Sequence, residues 1–401
     1  MSKIKFSEYD VVICGAGPAG LKMACELQNK SSGAYKVLLL DKKKPWQEPV
    51  FCAEAVSADR LSEFWPLKEQ WIRRKISGIY FTSPSRDRAE FYSKDCGLIL
   101  NRALFHKDMA DTASSMGVEV HFDALCRKVK KTADGDGAWS LEIHSLGETL
   151  EVKTQVIIDA TGPGSKLSTG VPELAGMEAG DADLESGVFA VVDGVEHSPE
   201  HIELFFGSDF PGGYGWLFPR DGGEVNLGFV LGRSTANQGS SRDMLLKFIN
   251  EYFPTAQIKG IYGGMIACGQ SKKMIAKSGF FKIGDAASCV NPISRSGIVE
   301  AIQSAAIASA SVLEWLESKS ATERLEIERV ALDNWINSLG SAHLQLANGK
   351  KAFSEVTDKQ FNRAAKRLSR LPKEKTSLIR IFFAVLFSSP SLIWKLRSFI
   401  R

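Results

Sequence analysis

Residues 9–20 read YDVVICGAGPAG, and residues 37–41 read VLLLD. The apolar run Val11–Cys14 ends in Gly15-Ala16-Gly17-Pro18-Ala19-Gly20. Leu21, Ala24, Cys25 and Leu27 then recur at helical spacing, and a second apolar run closes on Asp41. Strand, glycine turn, helix, strand and acid follow one another in the order of a dinucleotide-binding site. Gly15 permits the tight turn, Gly17 lets backbone approach a pyrophosphate, and Gly20 brings helix and strand together. The helix start offers free N–H groups and a partial positive charge to the phosphates. Asp41 stands where it can accept hydrogen bonds from an adenosine ribose.

The bulk properties are those of an ordinary globular chain whose length suggests two or three domains. It has 401 residues, 44% hydrophobic and 24% charged, and a net charge of +3, too mild to argue for nucleic acid. Seven cysteines, an odd number with no CxxC pair, fit neither a disulfide framework nor a zinc site, so a reducing cytoplasm is expected. The start, MSKIKFSEYD, has no apolar stretch of the kind a signal peptide needs. Charge is uneven: residues 363–401 hold ten Lys/Arg against the single acid Glu374, a local balance of +9, leaving −6 elsewhere. Within this tail, Ile381–Phe387 and SLIWKLRSFIR set aromatic and aliphatic residues among the cations. The apolar run is well below the roughly 20 residues of a spanning helix. The segment 377–401 suits a helix docked on the core or one lying in a membrane interface.

In between, Arg102 precedes an amphipathic helix with Leu104, Phe105, Met109 and Ala110. Strand patterns at 118–131 and 139–159, with a turn at Leu146-Gly147, lead into Asp159-Ala-Thr-Gly162, a second glycine turn. Residues 185–232 alternate apolar and polar positions, as antiparallel sheets do. Phe280–Ala287 (FFKIGDAA) then returns to the first pattern, with Asp285 at a strand end and a long alanine-rich helix over 299–317. Residues 320–350 read as helical, with Leu325, Val330, Leu332, Trp335, Ile336 and Leu339 on a packed face. The expected architecture is α/β (α+β overall). A Rossmann-like cofactor domain (1–75, 97–184, 275–318) carries an inserted antiparallel-sheet substrate domain (76–96, 185–274), and a helical region with the basic, apolar tail (319–401) follows.

Taken together, GxGxxG, the acid after the second strand, Arg102, DATG and GDAA…NP…G resemble the FAD-dependent oxidoreductases of the p-hydroxybenzoate hydroxylase-like fold, over about Tyr9 to Ala310. The resemblance implies FAD as cofactor. Residues Gly15, Ala16, Gly17, Pro18, Ala19 and Gly20 would hold the pyrophosphate. Asp41 and Lys42 would lie at the ribose, and Arg102 at the phosphate or ribityl region. Leu125, Gly162 and Pro292 would approach the cofactor, Gly284 and Asp285 the ribityl chain, and Gly297 and Ile298 the flavin pyrimidine edge. Arg295 departs from relatives, which often carry glycine or another small residue there.

One further stretch, Pro211-Gly-Gly-Tyr214-Gly-Trp216-Leu-Phe218-Pro219, resembles the PxxYxWxFP pattern of the geranylgeranyl reductase family. Alternation along a strand puts Tyr214, Trp216 and Phe218 on one face, an aromatic wall for an apolar chain. Cys52, in FCAEAVS, resembles the family's cysteine near the flavin, although Ala58 replaces the family's further glycine. The implied activity is saturation of isoprenoid C=C bonds by hydride from reduced FAD, with Tyr214 or Cys52 as proton donor. NADPH or a reduced redox protein would supply the electrons. A flavin monooxygenase or halogenase acting on an aromatic or polyketide substrate is the alternative, since fold does not fix function. A non-catalytic flavin protein of the membrane surface is the third reading.

Overall fold

The structure, a computed structural model, describes residues 4–44, 46–47, 50–132, 138–177, 184–232, 240–269 and 274–370. The tail segment 377–401 lies outside them. The chain divides into two compact units. One takes the residues up to Val50, Arg102–Leu184 and Ala267–Leu344. The other takes Phe51–Asn101, Glu185–Ile266 and the described residues from Gln345.

The first unit is built on a mainly parallel sheet. Its first strand, β1 (Glu8–Cys14), lies between β2 (Val37–Asp41) and β9 (Glu148–Asp159), parallel to both, with Val11 opposite Val37 and Val156. On one side β6 (Glu119–Phe122) extends the sheet beyond β2; on the other, β16 (Phe280–Lys282) adds beyond β9 and turns back onto β15 (Ala276–Lys277). The first half of β9 pairs antiparallel with β8 (Trp139–Ser145), which pairs in turn with β7 (Ala124–Lys131). Leu146 and Gly147 form the β8–β9 turn, both at positive φ (53° and 82°), as a two-residue hairpin with matching twist requires. Val11, Val12, Ile13, Leu38, Leu39, Ile157 and Ile158 are all buried. A continuous apolar run is the mark of a parallel strand covered on both faces.

Helix α1 (Pro18–Ser31) buries Leu21, Ala24, Cys25 and Leu27. In α3 (Arg102–Ser115), Phe105, Met109 and Ala110 are buried, whereas Leu104 is exposed, contrary to the sequence expectation. Helices α5 (Ile298–Glu317) and α6 (Ala321–Trp335) follow, then a π-turn, Ile336–Gly340, and α7 (Ser341–Phe353). The expected face of α6 is also corrected. Its buried stripe is Ala331 and Trp335, one turn apart, so Leu325 lies about 240° round the helix from Ala331 and is 67% exposed. Ile336, beside Trp335, also points outward, and the wider π-turn returns burial at Leu339 and Gly340.

The second unit is built on an eight-stranded sheet ordered β14-β10-β13-β12-β11-β4-β5-β3. Its strands are β3 (Ala55–Val56), β4 (Ile72–Thr82), β5 (Arg88–Leu100), β10 (Leu184–Asp193), β11 (His201–Phe205), β12 (Tyr214–Pro219), β13 (Val225–Leu231) and β14 (Gln257–Ala267). β10 with β13, β13 with β12, β12 with β11, β4 with β5 and β5 with β3 are antiparallel, whereas β11 with β4 is parallel. β3 pairs with β5, and α2 (Ala58–Ser62) follows it. The stretch 51–75 thus groups with the antiparallel unit instead of the cofactor unit, and the helices after 318 are shared between both units instead of forming a region of their own. Phe205, Phe210, Leu217, Leu227 and Phe229 pack on one face of the sheet with Phe248 and Ile249 of α4 (Ser241–Tyr252). Ile76, Ile99, Phe189, Trp216, Phe218 and Val230 form a separate cluster. A capping box at Thr357 opens α8 (Asp358–Leu368), which buries Phe361, Ala364, Ala365 and Leu368.

Candidate active site

In the first unit, the glycine turn is made by steric necessity. Gly15 has φ +111°, and a Cβ there would lie 2.1 Å from the Ala160 carbonyl oxygen. At Gly20 it would lie 1.9 Å from the Gly15 carbonyl oxygen. Gly17 differs: no atom stands within 4 Å of where its Cβ would be. The first two glycines are needed by the protein itself. Gly17 opens onto free space at the start of α1, where Pro18 sits in the first turn and the N-cap makes no side-chain hydrogen bond. No acid occupies that turn, so the positive end of the helix is unopposed from within.

Asp41 takes the N–H of Ala16 at 2.7 Å and that of Lys43 at 3.0 Å. Burial raises its carboxyl above the ordinary range, although both N–H groups pull the other way. Lys42 is exposed. Leu125 sits on β7 opposite His144, half-buried. At the second glycine turn, Asp159 is fully buried and receives Thr161 N–H (3.2 Å), the Thr161 hydroxyl (2.7 Å) and the Ser165 hydroxyl. Lys282 Nζ, also fully buried, stands 3.7 Å from it. Gly162 follows at φ +87° with open space where a Cβ would go, as at Gly17.

The third turn, Gly284–Ala287, is a 3-10 helix just past β16, so Asp285 lies within it and not at a strand end. Gly284 has φ +60°, and a Cβ there would sit 2.8 Å from Ala19 Cβ, so this turn closes directly on α1. Burial pushes the Asp285 carboxyl up to about 6; Arg102 opposes that shift and Glu300 adds to it. Arg102, buried as the first residue of α3, bonds His106 Nε2 at 2.8 Å. Asn291 Oδ1 accepts the N–H groups of Ile293 and Ser294, giving the loop through Pro292 its turn. Arg295 adopts φ +56°, the region a glycine enters freely, and its guanidinium folds back onto the Ile293 carbonyl at 2.7 Å. Gly297 caps α5 without a side-chain hydrogen bond, and Ile298 opens that helix. Two uncapped helix starts, two open glycines and a half-buried acid fit a dinucleotide cofactor with an anionic pyrophosphate.

In the second unit, the aromatic residues share one face of β12. Ring centroids are 6.2 Å apart for Tyr214–Trp216 and 6.0 Å for Trp216–Phe218. Gly228, opposite Trp216 on β13, makes room for the indole, since a Cβ there would meet Cζ2 at 2.4 Å. The indole Nε1 donates to Asn226 Oδ1 at 2.9 Å, and Asn226 Nδ2 donates to the Cys52 carbonyl at 3.2 Å. The structure thereby joins Cys52 to the aromatic motif 164 residues later. Sequence reading missed Asn226, and also Glu54 and Arg220, which pair through Arg220 Nε at 3.0 Å with both residues buried. The only signal for them was proximity to Cys52 and to Phe218-Pro219.

Comparison with known proteins agrees with this geometry. The chain is 28% identical to a digeranylgeranylglycerophospholipid reductase of Methanosarcina mazei, over 97% of this chain and 96% of the relative. In structure it is similar to a geranylgeranyl bacteriochlorophyll reductase-like protein of Thermoplasma acidophilum, with a TM-score of 0.85, 23% identity and coverage of 98% and 99%. A flavin-dependent brominase shares the fold at a TM-score of 0.69 and 18% identity, over 97% of this chain and 92% of the brominase. The family described as FAD dependent oxidoreductase matches residues 50–299, a span that begins after the first glycine turn and so supports FAD independently of it. The chain belongs to this family of FAD-dependent oxidoreductases.

Proposed function

We propose that this enzyme saturates carbon–carbon double bonds of an isoprenoid chain of geranylgeranyl type. The observation that carries the reading is the stripe Tyr214, Trp216 and Phe218, three rings on one strand face backed by Ile76, Phe189 and Val230. Trp216 and Phe218 are buried and Tyr214 is half-buried, so the open part of this uncharged apolar face is at Tyr214, where a polyprenyl chain would lie. Similarity along nearly the whole chain to a protein named for reduction of a digeranylgeranyl lipid supports the same substrate class.

FAD would be held by the glycine turn of residues 15–20, Asp41 and Lys42, Arg102, and the turns containing Leu125, Gly162, Gly284 and Asp285. The loop through Pro292 and the start of α5 at Gly297 and Ile298 would complete the cradle. Bound and reduced, the cofactor supplies a hydride equivalent, with electrons drawn from NADPH or a small reduced protein. An isolated alkene cannot stabilise a carbanion, so the protein's tasks are alignment and proton supply. Tyr214 Oη and Cys52 Sγ are the candidate donors: one O–H or S–H proton goes to the carbon that does not receive hydride, and solvent restores it. The substrate class also implies work at a lipid surface. Lys359, Arg363, Lys366, Arg367 and Arg370 are all exposed along α8 and just past it, at the spacing of one helix face, directly ahead of the basic, apolar segment 377–401. The proposed contact is peripheral, and no helix among the described residues is long and apolar enough to cross a membrane.

The test is anaerobic. The dithionite-reduced holoenzyme is mixed with geranylgeranyl diphosphate or a geranylgeranyl-bearing glycerolipid, and flavin absorbance and product mass are followed. Reoxidation with products heavier by two hydrogens per step supports the reading. Flavin that stays reduced until oxygen is admitted overturns it in favour of monooxygenase chemistry.

A further inference from the structure

The segment around Cys52 is held at a cost that stability alone does not explain. Glu54, two residues on, is 5% exposed and adopts φ +74°, a left-handed conformation that a residue with a side chain enters only against steric resistance. Its carboxylate takes Arg220 Nε at 3.0 Å and Nη2 at 3.5 Å, with Arg73 Nε 3.7 Å away. Arg220 immediately follows Phe218-Pro219 and is itself 8% exposed. Its backbone is fixed in turn, since Arg220 N–H donates to the Glu224 carbonyl at 2.7 Å and its own carbonyl accepts Arg74 Nε at 3.1 Å. A buried ion pair is often no more stabilising than an apolar pair of the same volume, because desolvation offsets the attraction. What an ion pair does provide is direction, and strained backbone persists where surroundings over-determine it, often at functional positions.

Here the direction bears on one side chain. With Glu54 fixed at both its carboxylate and its carbonyl, which accepts Leu100 N–H at 2.9 Å, the Glu54 N–H points at Cys52 Sγ, 3.2 Å away. From the other side Asn226, 1% exposed, bridges the Cys52 carbonyl and the Trp216 indole. Cys52 is therefore pinned at sulfur and at carbonyl by two clamps, one anchored through Arg220 just past β12 and the other through Asn226 on the neighbouring β13.

We propose that Glu54, Arg220 and Asn226 are positioning residues that fix the Cys52 thiol in register with Trp216, and that through this register they set the rate of the saturating step. The proposal rests on the reductase reading and deepens it, since it distinguishes Cys52 from Tyr214 as the group the fold is built to aim.

The test compares the FAD-loaded wild type with E54M/R220M, which keeps volume and removes the charges, and with R220K, which keeps charge without the guanidinium fork. Two readouts are needed: kcat and KM for alkene saturation, and the rate of iodoacetamide labelling of Cys52 measured by peptide mass spectrometry. We expect E54M/R220M to retain its flavin and thermal midpoint, to lose ~100-fold in kcat with KM changed less than threefold, and to label faster at Cys52. R220K should fall between the two on both readouts. Wild-type kcat and labelling in the double variant overturn the proposal, as does a loss confined to KM. A variant that fails to fold is replaced by E54Q, for which the same two outcomes are decisive. If the wild type saturates no alkene, the reductase reading fails separately, and the labelling comparison still decides whether the clamp positions Cys52.

Discussion

Replacing Asp285 with asparagine is expected to strengthen the flavin-free protein while weakening its hold on FAD, and pH separates the two effects. The Asp285 carboxyl sits at about 6 in the fold against an ordinary 3.8, chiefly because burial disfavours its charge. A raised acid makes the folded state the better proton binder, so its contribution is most favourable at low pH and is lost as pH rises from 4 through 6. Linkage puts the destabilisation by Asp285 at about 1.6 kcal/mol at pH 5 and about 3 kcal/mol at pH 8. Asparagine resembles the protonated acid in shape and never ionises, so the advantage of D285N should widen by about 1.4 kcal/mol between those pH values. Urea unfolding of both flavin-free proteins at pH 5 and pH 8 measures this. The same substitution removes the charged acceptor proposed for a cofactor hydroxyl, roughly 1.5–3 kcal/mol, which is about 10- to 160-fold in FAD affinity at pH 8. Wild-type affinity should also decline as pH falls below 6, whereas that of D285N should stay flat, both read from quenching of flavin fluorescence. An equal stability gain at both pH values, or unchanged FAD affinity, would refute the reasoning.

Other expectations follow from single positions. G17A should fold normally, since its Cβ enters open space, yet lose at least ~10-fold in FAD affinity by blocking phosphate approach; G20A should instead yield little folded protein, which expression and circular dichroism will show. R295G should raise stability by about 1 kcal/mol by relieving a left-handed backbone, detectable as a higher urea midpoint. G228A should displace the Trp216 ring and shift the tryptophan fluorescence, with a loss of alkene turnover exceeding any loss of flavin. Reversing Arg363, Lys366 and Arg367 to glutamate should abolish salt-sensitive sedimentation with anionic vesicles while leaving flavin content unchanged; sedimentation equal to wild type would remove α8 from the membrane-facing surface.

The parts legible in the sequence were those written in local periodicity. Continuous apolar runs announced β1 and β2, and the three glycine turns kept their chain order; β12 and β13, read as alternating, are strands but are buried at nearly every position. Tyr214, Trp216 and Phe218 share a face because strand geometry requires it. The remainder depends on partners distant in the chain. The pairing of β3 with β5 decides which unit owns Cys52, and nothing within FCAEAVS encodes it. The Glu54–Arg220 pair spans 166 residues, and each member alone reads as an ordinary surface charge. Leu104 and Leu325 look like core by composition, but helical angle places them outside. Arg295 stood out in the sequence as a departure; its positive φ explains why a glycine serves well there.

The contact between Gly284 and Ala19 has a consequence for how the protein is made. These residues are 265 positions apart, yet their turns close on one another. A nascent chain leaving the ribosome presents β1 early, with only β2 available beside it, while β9, β16 and α5 are still to be synthesised. Pairings of such range form late, because the chain entropy of bringing them together comes before any reward. If FAD is held as proposed, its cradle is unfinished until residues beyond 298 have emerged. Loading on that reading comes late in synthesis or after it, and the cofactor would act as a lock on a nearly complete fold, not as a template for an early one.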